Sequence, residues 1–408
     1  MARRRSRVRG GRRGWPRRPW HVAALAAIAL ATGVGASYAA WDRDDASPSA
    51  SARHAPRTKP SYRVQRRQAA PRLRAVLRRA AARDVYAAAE TTRVRRDLAR
   101  IPERVYVPNT GDNTVDVIDA ATFTVVDRFA VGTLPHHITP AWNLRWLYVD
   151  DTVGNTLVAI DPSTARPVRT IPVADPYNLY FSLDGTKAIV VAERSARLDF
   201  RNPHTWRLIK SVSLPGRGAD HLDFSRGGAY LVLSDEFSGD VVKVDVRRMR
   251  VVDMLRTGGL PVDVKLAPRG SLFYVADQAR GGVLLLDGDH LREIGFLATG
   301  SGAHGLCVSR DGKHLYVSNR LAGSISVIDF ARRRVTETWQ VGGSPDMMQV
   351  SPDGRMLWVS NRYNASVSVI STVTGRVLHT IAVGPGPHGL SYFPEPGRFS
   401  LGHNGVYR

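Results

Sequence analysis

A set of histidine, aspartate and asparagine residues in this 408-residue chain shares one spacing. Steps of 42 residues from the first member give the series His136, Asn178, Asp220, Val262, His304, Asp346 and His388. His137, His221 and Asp263 lie directly beside members of this series. Such groups can bind a transition metal, recognise an organic ligand or form a buried hydrogen-bonded cluster. Their chemistry therefore depends on whether the fold brings them together.

The same spacing governs the apolar residues that would build the scaffold. One strand position recurs as Tyr106, Tyr148, Val190, Val232, Tyr274, Tyr316 and Trp358. Three residues later the series is Asn109, Asp151, Glu193, Asp235, Asp277, Asn319 and Asn361. Seven copies of a unit of about 40 residues are typical of a β-propeller with four strands in each blade. We predict an all-β, seven-bladed propeller over residues 104–395.

The sixth copy shows the expected strands most clearly. Strands are predicted at 304–308, 314–319 and 324–329, with a last one near 334–341, because short β-branched runs alternate with Gly, Asp and Ser. First and second strands are antiparallel, so the start of one lies beside the end of the next. The His136 series and the Asn109 series should therefore meet at one channel mouth, with the Asp-Gly turns on the opposite face.

Two interpretations of this mouth remain open. Asn, Asp or Glu repeated in every blade is typical of architecture, because these side chains satisfy loop N–H groups. The histidines break the sevenfold pattern, as a ligand site would. The predicted ligand-binding set is His136, His137, Asn178, Asp220, His221, Asp263, His304, Asp346 and His388. No cofactor is predicted; copper or another transition metal, held by His136, His304 and His388, is the alternative.

The repeats also carry a family resemblance. Tyr316-Val317-Ser318-Asn319, the Asp353-Gly354 turn and the Gly384–Gly389 approach resemble the YVTN-repeat, or YncE-like, propellers. The resemblance covers roughly residues 104–408 and implies an extracytoplasmic protein of an actinobacterial type. Residues 193–215 depart from the pattern, because they lack the Tyr-Val strand and the following Gly-bearing loop.

The resemblance leaves three functions open. We favour a binding scaffold in the cell envelope, acting on a partner protein, a peptide or a glycan. The second hypothesis is a metal- or cofactor-dependent oxidoreductase, since propellers of copper, haem d1 and amine-dehydrogenase enzymes are related in structure. The third is a lactonase-like hydrolase, against which an export signal counts. Fold alone does not decide among them.

The net charge of +22 is concentrated at the N-terminus. Residues 1–100 contain 25 Lys and Arg against 6 Asp and Glu, whereas the remaining 308 residues contain 33 against 30. Nine arginines in the basic region 1–20 precede an uncharged run at 22–40. We interpret residues 21–41 as a signal peptide or signal anchor, with the propeller outside the membrane or secreted. Topology explains the arginines without nucleic acid, whose binding is not expected.

Residues 42–103 form a basic linker. Its part at 71–100 has apolar residues at helical spacing opposed by arginines, which predicts an amphipathic helix. Two interpretations stay open: contact with anionic lipid or a wall polymer, and packing of a stalk on the propeller. Tyr86 lies in a lead-in that resembles family members and favours packing.

The chain ends suggest how the ring closes. The first blade starts with its second strand at Val105, and an unpartnered first strand occurs at 388–392. These two strands should pair and close the ring. Residues 396–408 then form a tail, which we expect to lie over the closing blade. The single cysteine, Cys307, excludes an intrachain disulfide and is expected to be buried.

Overall fold

The computed structural model describes residues 84–88 and 92–403, and within them it confirms the predicted seven-bladed β-propeller. Seven antiparallel sheets of four strands each follow one another along the described chain. Blade 1 combines the last strand of the chain with the first three, and blades 2 to 7 follow in order. In the sixth blade the second and third strands have the predicted bounds, at His314–Asn319 and Ser324–Asp329.

The first strands line the channel. They are β4 (Pro135–Pro140), β8 (Asn178–Phe181), β12 (Ala219–Phe224), β16 (Pro261–Leu266), β20 (Ala303–Val308), β24 (Pro345–Val350) and β28 (Ser391–Phe393). The second strands are β1 (Arg104–Asn109), β5 (Leu147–Asp151), β9 (Ala188–Ala192), β13 (Tyr230–Asp235), β17 (Leu272–Asp277), β21 (His314–Asn319) and β25 (Met356–Asn361).

The two outer positions complete each blade. The third strands are β2 (Thr114–Asp119), β6 (Thr156–Asp161), β10 (Arg197–Arg201), β14 (Asp240–Asp245), β18 (Gly282–Asp287), β22 (Ser324–Asp329) and β26 (Ser366–Ser371). The fourth strands are β3 (Thr124–Ala130), β7 (Arg166–Pro172), β11 (Leu208–Ser213), β15 (Arg250–Arg256), β19 (Arg292–Ala298), β23 (Arg334–Gln340) and β27 (Val377–Ala382). A single 3-10 turn at Glu236–Ser238 is the helical element of the described residues.

Burial falls from the channel to the rim of the ring. First and second strands are buried along almost their whole length, whereas the fourth strands are largely exposed. Apolar side chains on both faces of the inner strands pack between blades, which explains their continuous Val, Ile and Leu runs. Blade 3 follows the same plan despite its divergent sequence, because Val190 and Val191 fill the strand that the Tyr-Val pair occupies elsewhere.

The ring closes as the sequence predicts. Strand β28 pairs with β1 in antiparallel register, with Val105 opposite Tyr392 and Arg104 opposite Phe393. An additional bridge joins Asn109 to Pro387. The two ends of the propeller are therefore held in one blade by main-chain hydrogen bonds.

The tail takes a different path from the expected one. It does not stop over the closing blade but runs back along blades 2 and 3: Ser400 donates its N–H to Trp142, and Leu401 accepts from the N–H of Phe181. Gly402 bridges Tyr180 in the first strand of blade 3. The reason is apolar packing, since Leu401 is buried in the core and Phe399 stacks on Trp142. The tail thus enters the channel.

The described part of the basic linker forms turns at residues 85–88 and 96–100 where a helix was predicted. Val85 is fully buried and donates its N–H to Arg226, whose guanidinium pairs with Asp84 at 2.9 Å. This contact favours packing on the propeller. The signal segment and the remaining linker lie outside the described residues. The residues that the structure describes include no helix that is long and apolar enough to cross a membrane.

Candidate functional site

The propeller brings most of the predicted site residues to one end of its channel. The first strands begin at this end, so the 42-residue series forms a layer that we call the mouth layer: His136, Asp220, His304, Asp346 and His388. All five side chains are buried. The predicted site residues do not form a single site. Some belong to a hydrogen-bonded network in the mouth layer, His137 and His221 belong to a deeper histidine cluster, and Asn178 and Asp263 belong to the channel wall.

Asp346 is the centre of the network. Its Oδ1 lies 2.9 Å from Nδ1 of His304, and its Oδ2 lies 2.6 Å from Nδ1 of His388. Arg320 donates to the same carboxylate and to Nε2 of His304. Arg320 therefore occupies Nε2 of His304, whereas Nδ1 of His304 meets Asp346 at ion-pair distance without the alignment of a hydrogen bond. This arrangement does not favour the predicted metal set His136, His304 and His388, because Arg320 covers one nitrogen of His304 and the carboxylate of Asp346 lies against the other.

The charges of this network follow from its burial. Burial opposes ionisation of Asp346, but the neighbouring Arg320, His388 and His304 outweigh it and hold the pKa of this carboxyl well below its usual range. Burial lowers the pKa of His388 to about 3 and also lowers that of His304. A neutral imidazole that donates to an ionised aspartate accounts for the short contact between His388 and Asp346.

Behind the mouth layer lies a second group, the deep histidine cluster of His137, His221 and His403. His137 and His221 each follow a mouth-layer residue by one position, which places them one residue further along the channel. The ring centroids of His137 and His403 are 4.2 Å apart, and those of His137 and His221 are 5.0 Å apart. All three side chains are fully buried.

The cluster has polar contacts on its outer side only. Nδ1 of His137 lies 2.8 Å from the carbonyl oxygen of Tyr177, and Nδ1 of His221 lies 2.6 Å from Oδ1 of Asp220. Burial lowers the pKa of His137 and of His403 well below the usual range. The pKa of His221 is raised, because Asp220 and Asp263 outweigh its burial.

His403 was not among the predicted site residues. The sequence held a signal for it, since His403 lies 42 residues after Asn361 and follows a glycine, as the residues of the repeat do. Its place in the channel depends on the path of the tail, which the repeat does not encode.

Asn178 and Asp263 support the channel wall. Asn178 donates to the hydroxyl of Tyr180 at 3.1 Å and accepts the N–H of Leu179. Asp263 accepts the N–H of Leu306 in the next blade at 2.8 Å. The contacts of Asn178 stay within β8, and the contact of Asp263 joins two first strands. Ligand binding by either residue stays a prediction that these hydrogen bonds do not favour.

The Asn109 series has the architectural role that the sequence suggested. Asn319 donates to Ser324 and Ser326 at 3.1 Å each, within its own blade. Asp277 accepts the N–H of Leu260 at 3.0 Å, also within one blade. The equivalent residues Asn109, Asp151, Asp235 and Asn361 make side-chain hydrogen bonds of the same kind, so this position fastens six of the seven blades at the mouth face.

The residue that directly follows each member of the Asn109 series belongs to a further series, which was not predicted as part of the site. This loop ring begins the connection from second to third strand in each blade and consists of Thr110, Thr152, Arg194, Glu236, Gln278, Arg320 and Arg362. Its members differ from blade to blade, as expected for a site imposed on a repeat. His136 contacts Thr152 through Nδ1 at 2.8 Å, and Gln278 donates to Glu236 at 2.7 Å.

Charge in the loop ring is uneven. Burial and the nearby Asp220 raise the pKa of Glu236 to about 8. Arg362 approaches His136 and His388 closely enough to lower the pKa of both, though burial is the larger cause. Its Nη1 atom is buried and has no hydrogen-bond partner within residues 84–88 and 92–403. An unpaired guanidinium in a channel mouth is suited to an anion.

Apolar side chains surround this charged centre. Phe237, Leu321 and Tyr363 follow loop-ring residues directly and are 60–66% exposed. Val153 in an equivalent loop and Leu260 are also exposed. On the opposite face, the loops of the described chain expose one comparable residue, Val373. Exposed aromatic and aliphatic groups around a polar centre mark a binding surface.

The chain forms a seven-bladed propeller. Its channel contains a cluster of histidines, and the loops at one mouth of the channel differ from blade to blade. Residues 63–395 match the family model of the YNCE-like beta-propeller. The chain belongs to this family. No curated protein sequence matches it.

Several solved structures share the fold. A 6-phosphogluconolactonase candidate from Bacteroides uniformis is 18% identical, with a TM-score of 0.60 over 71% of this chain and 99% of that one. Dihydro-heme d1 dehydrogenase NirN in complex with DHE is 14% identical, with a TM-score of 0.56 over 74% and 77%. Hydrazine synthase of Kuenenia stuttgartiensis is 16% identical, with a TM-score of 0.53 over 62% and 87%. These likenesses show a common fold and leave the chemistry to the site.

Proposed function

We propose that this protein is an extracytoplasmic binding propeller whose mouth binds an organic carboxylate, either a small molecule or the C-terminus of a peptide or envelope protein. The observation that carries the proposal is Arg362, whose buried Nη1 atom lacks a partner in the described chain. A carboxylate is the natural partner of a guanidinium group, because its two oxygens match the spacing of the N–H donors.

The surroundings of Arg362 support the same ligand class. Tyr363 and Leu321 offer exposed apolar surface beside it, and Arg320 lies over the Tyr363 ring at 5.8 Å. Arg320 itself is committed to Asp346, which leaves Arg362 to recognise the anion. A neutral glycan would leave this charge unpaired, so the peptide and small-molecule alternatives are preferred to the glycan.

Binding is tested with two pools of random hexapeptides, one with free and one with amidated C-termini, on the immobilised full chain. We expect retention of free-carboxylate peptides with apolar C-terminal residues, and loss of this selection in Arg362→Gln. Arg376→Gln, which removes an exposed arginine from the opposite face, should retain the selection. Equal retention of the two pools by the wild type would contradict the proposal.

The location outside the membrane rests on the sequence of residues 1–40. Nine arginines before an uncharged run favour an N-terminus in the cytoplasm. Protease added to intact cells should cleave the propeller but spare residues 1–20; a protected propeller would contradict this topology. The hydrolase hypothesis is supported by the shared fold alone. Metal binding is supported in addition by the geometry of the deep histidine cluster.

A further inference from the structure

We propose that His137, His221 and His403 together bind one divalent transition-metal ion in the channel, with the C-terminal tail supplying the third ligand. Each histidine offers one nitrogen, and the three nitrogens all lie within 4.8 Å of one another. This site is separate from the mouth and does not depend on carboxylate binding there.

Ring nitrogens of the deep histidine cluster lack a protein partner in the part of the chain that the structure describes. Nε2 of His137 and Nε2 of His221 are buried and have no hydrogen-bond partner in the described residues. Buried polar atoms without partners are rare, because each costs the free energy of its lost hydration. A metal ion would satisfy both at once.

The outer nitrogens are the second argument. Histidines that bind metals usually donate their other ring N–H to a carboxylate or a backbone carbonyl, which fixes the tautomer and the ring orientation. Nδ1 of His137 has the carbonyl of Tyr177 in that position. Nδ1 of His221 lies 2.6 Å from Asp220, an ion-pair contact without the alignment of a hydrogen bond. The ring of His137 is therefore held by a hydrogen bond, and Asp220 stands on the Nδ1 side of His221, so that both Nε2 atoms are available to an ion.

Size and charge also fit. With Zn–N distances of about 2.0–2.1 Å, ligand nitrogens in a tetrahedral site lie about 3.3 Å apart, so small ring rotations suffice. Gly389 makes the space, because a Cβ there would overlap His137 and His403. The buried Lys265 is offset by Asp263 at 3.3 Å, and Asp220 adds a negative charge beside His221.

Neutral imidazoles suit zinc, copper and cobalt, and three of them leave a coordination position open. The tail residue completes the set, since β4 and β12 supply only two ligands. Metal binding should consequently fasten the tail inside the channel and raise the melting temperature of the folded chain.

The test uses the full chain, freed of metal with EDTA and titrated with Co²⁺, Zn²⁺ and Cu²⁺. We expect one equivalent of each ion, a Tm raised by several degrees, and an electron paramagnetic resonance spectrum of the Cu²⁺ form with coupling to three nitrogens. This wild-type spectrum decides the question even if a variant fails to fold. No binding at stoichiometric metal, or coupling to fewer than three nitrogens, would overturn the proposal.

The variants assign the ligands. His403→Gln and His221→Gln should abolish the stoichiometric binding, while His304→Gln in the mouth layer should retain it. Asp220→Asn should weaken binding by roughly 10- to 100-fold, as expected for a group that positions a ligand, but preserve the three-nitrogen spectrum. Binding that survives His403→Gln in a folded protein, or is lost in a folded His304→Gln, would contradict the assignment.

Discussion

Two sets of histidines lie in neighbouring layers of one channel, with the ring centroids of His137 and His388 4.7 Å apart, yet they have different surroundings. In the mouth layer, His304 and His388 share the carboxylate of Asp346, and Arg320 occupies the second nitrogen of His304. In the deep histidine cluster, Nε2 of His137 and of His221 have no hydrogen-bond partner within the described chain. In the first set a carboxylate and a guanidinium lie against the imidazole nitrogens, whereas in the second set two Nε2 atoms have no hydrogen-bond partner of either kind among the described residues.

The difference teaches that residue type alone does not identify a site in a repeat protein. A buried histidine with two protein partners stabilises the fold, whereas one with an unused nitrogen is available for chemistry. Four predictions test what the closing strand, the mouth layer, the Asn109 series and the apolar rim each contribute to stability or binding.

The largest effect should come from removing chain from the C-terminus. A chain ending at Gly384 lacks β28, so β1 loses its inner partner and the ring opens. We expect loss of the cooperative unfolding transition. A chain ending at Glu395 keeps β28 and should fold, with the mouth layer intact and His403 absent. Similar melting temperatures for the chains ending at Gly384 and at Glu395 would show that β28 does not close the ring.

The next effect concerns the mouth layer itself. Asp346→Ala leaves Arg320 buried without its carboxylate, and removing one partner of a buried ion pair typically costs about 3–5 kcal/mol. Urea unfolding near pH 7 measures the change. Asp253→Ala, on an exposed fourth strand, serves as the control and should stay within about 0.5 kcal/mol of the wild type. A loss as small for Asp346→Ala would mean that the network does not stabilise the fold.

A smaller effect, a dependence of stability on pH, is expected at Asp151 in the architectural Asn109 series. Burial raises the pKa of Asp151 to about 7, whereas the pKa of an aspartate in the unfolded chain is about 3.9. The folded state therefore holds a proton that the unfolded state releases, and stability falls as pH rises from about 4 to 7.

Asp151→Asn removes this loss and should stabilise the protein at pH 8 by about 1–2 kcal/mol, with little change at pH 4. The reciprocal Asn319→Asp should introduce the loss, since Asn319 occupies the equivalent position in blade 6. Denaturation at both pH values measures the pair. An Asp151→Asn variant that is equally stabilised at pH 4 and pH 8 would rule out titration of Asp151 as the cause.

The smallest effect on stability should come from the apolar rim. Tyr363 is 66% exposed, so Tyr363→Ser should change the free energy of unfolding by less than about 0.5 kcal/mol. The same substitution should weaken retention of free-carboxylate peptides severalfold, because it removes apolar surface beside Arg362. A large loss of stability would assign Tyr363 to the fold instead of the ligand surface.

The fold could be predicted from the sequence because each blade needs the same types of residue at the same positions. Position 106 and its equivalents must fill the space between blades, and Asn319 and its equivalents must fasten a strand end, so both recur every 42 residues. The closing strand was predictable for the same reason, since Val105 needs an inner neighbour and 388–392 supplies one.

The site was predictable only in part. The register placed His136, His304, Asp346 and His388 at one mouth, but it could not show that Arg320 would fill the space beside His304. Arg320 and Arg362 belong to a series one residue beyond the one that was counted. His403 depends on long-range packing of Leu401 and Phe399, which no local pattern encodes.

Diffraction from crystals of the zinc-treated full chain, with data on both sides of the zinc absorption edge, tests the central claim most directly. The contrast between the two histidine sets predicts one anomalous peak bonded to ring nitrogens of His137, His221 and His403, and none at His304 or His388. A peak in the mouth layer, or an ordered deep cluster without a peak, would contradict it.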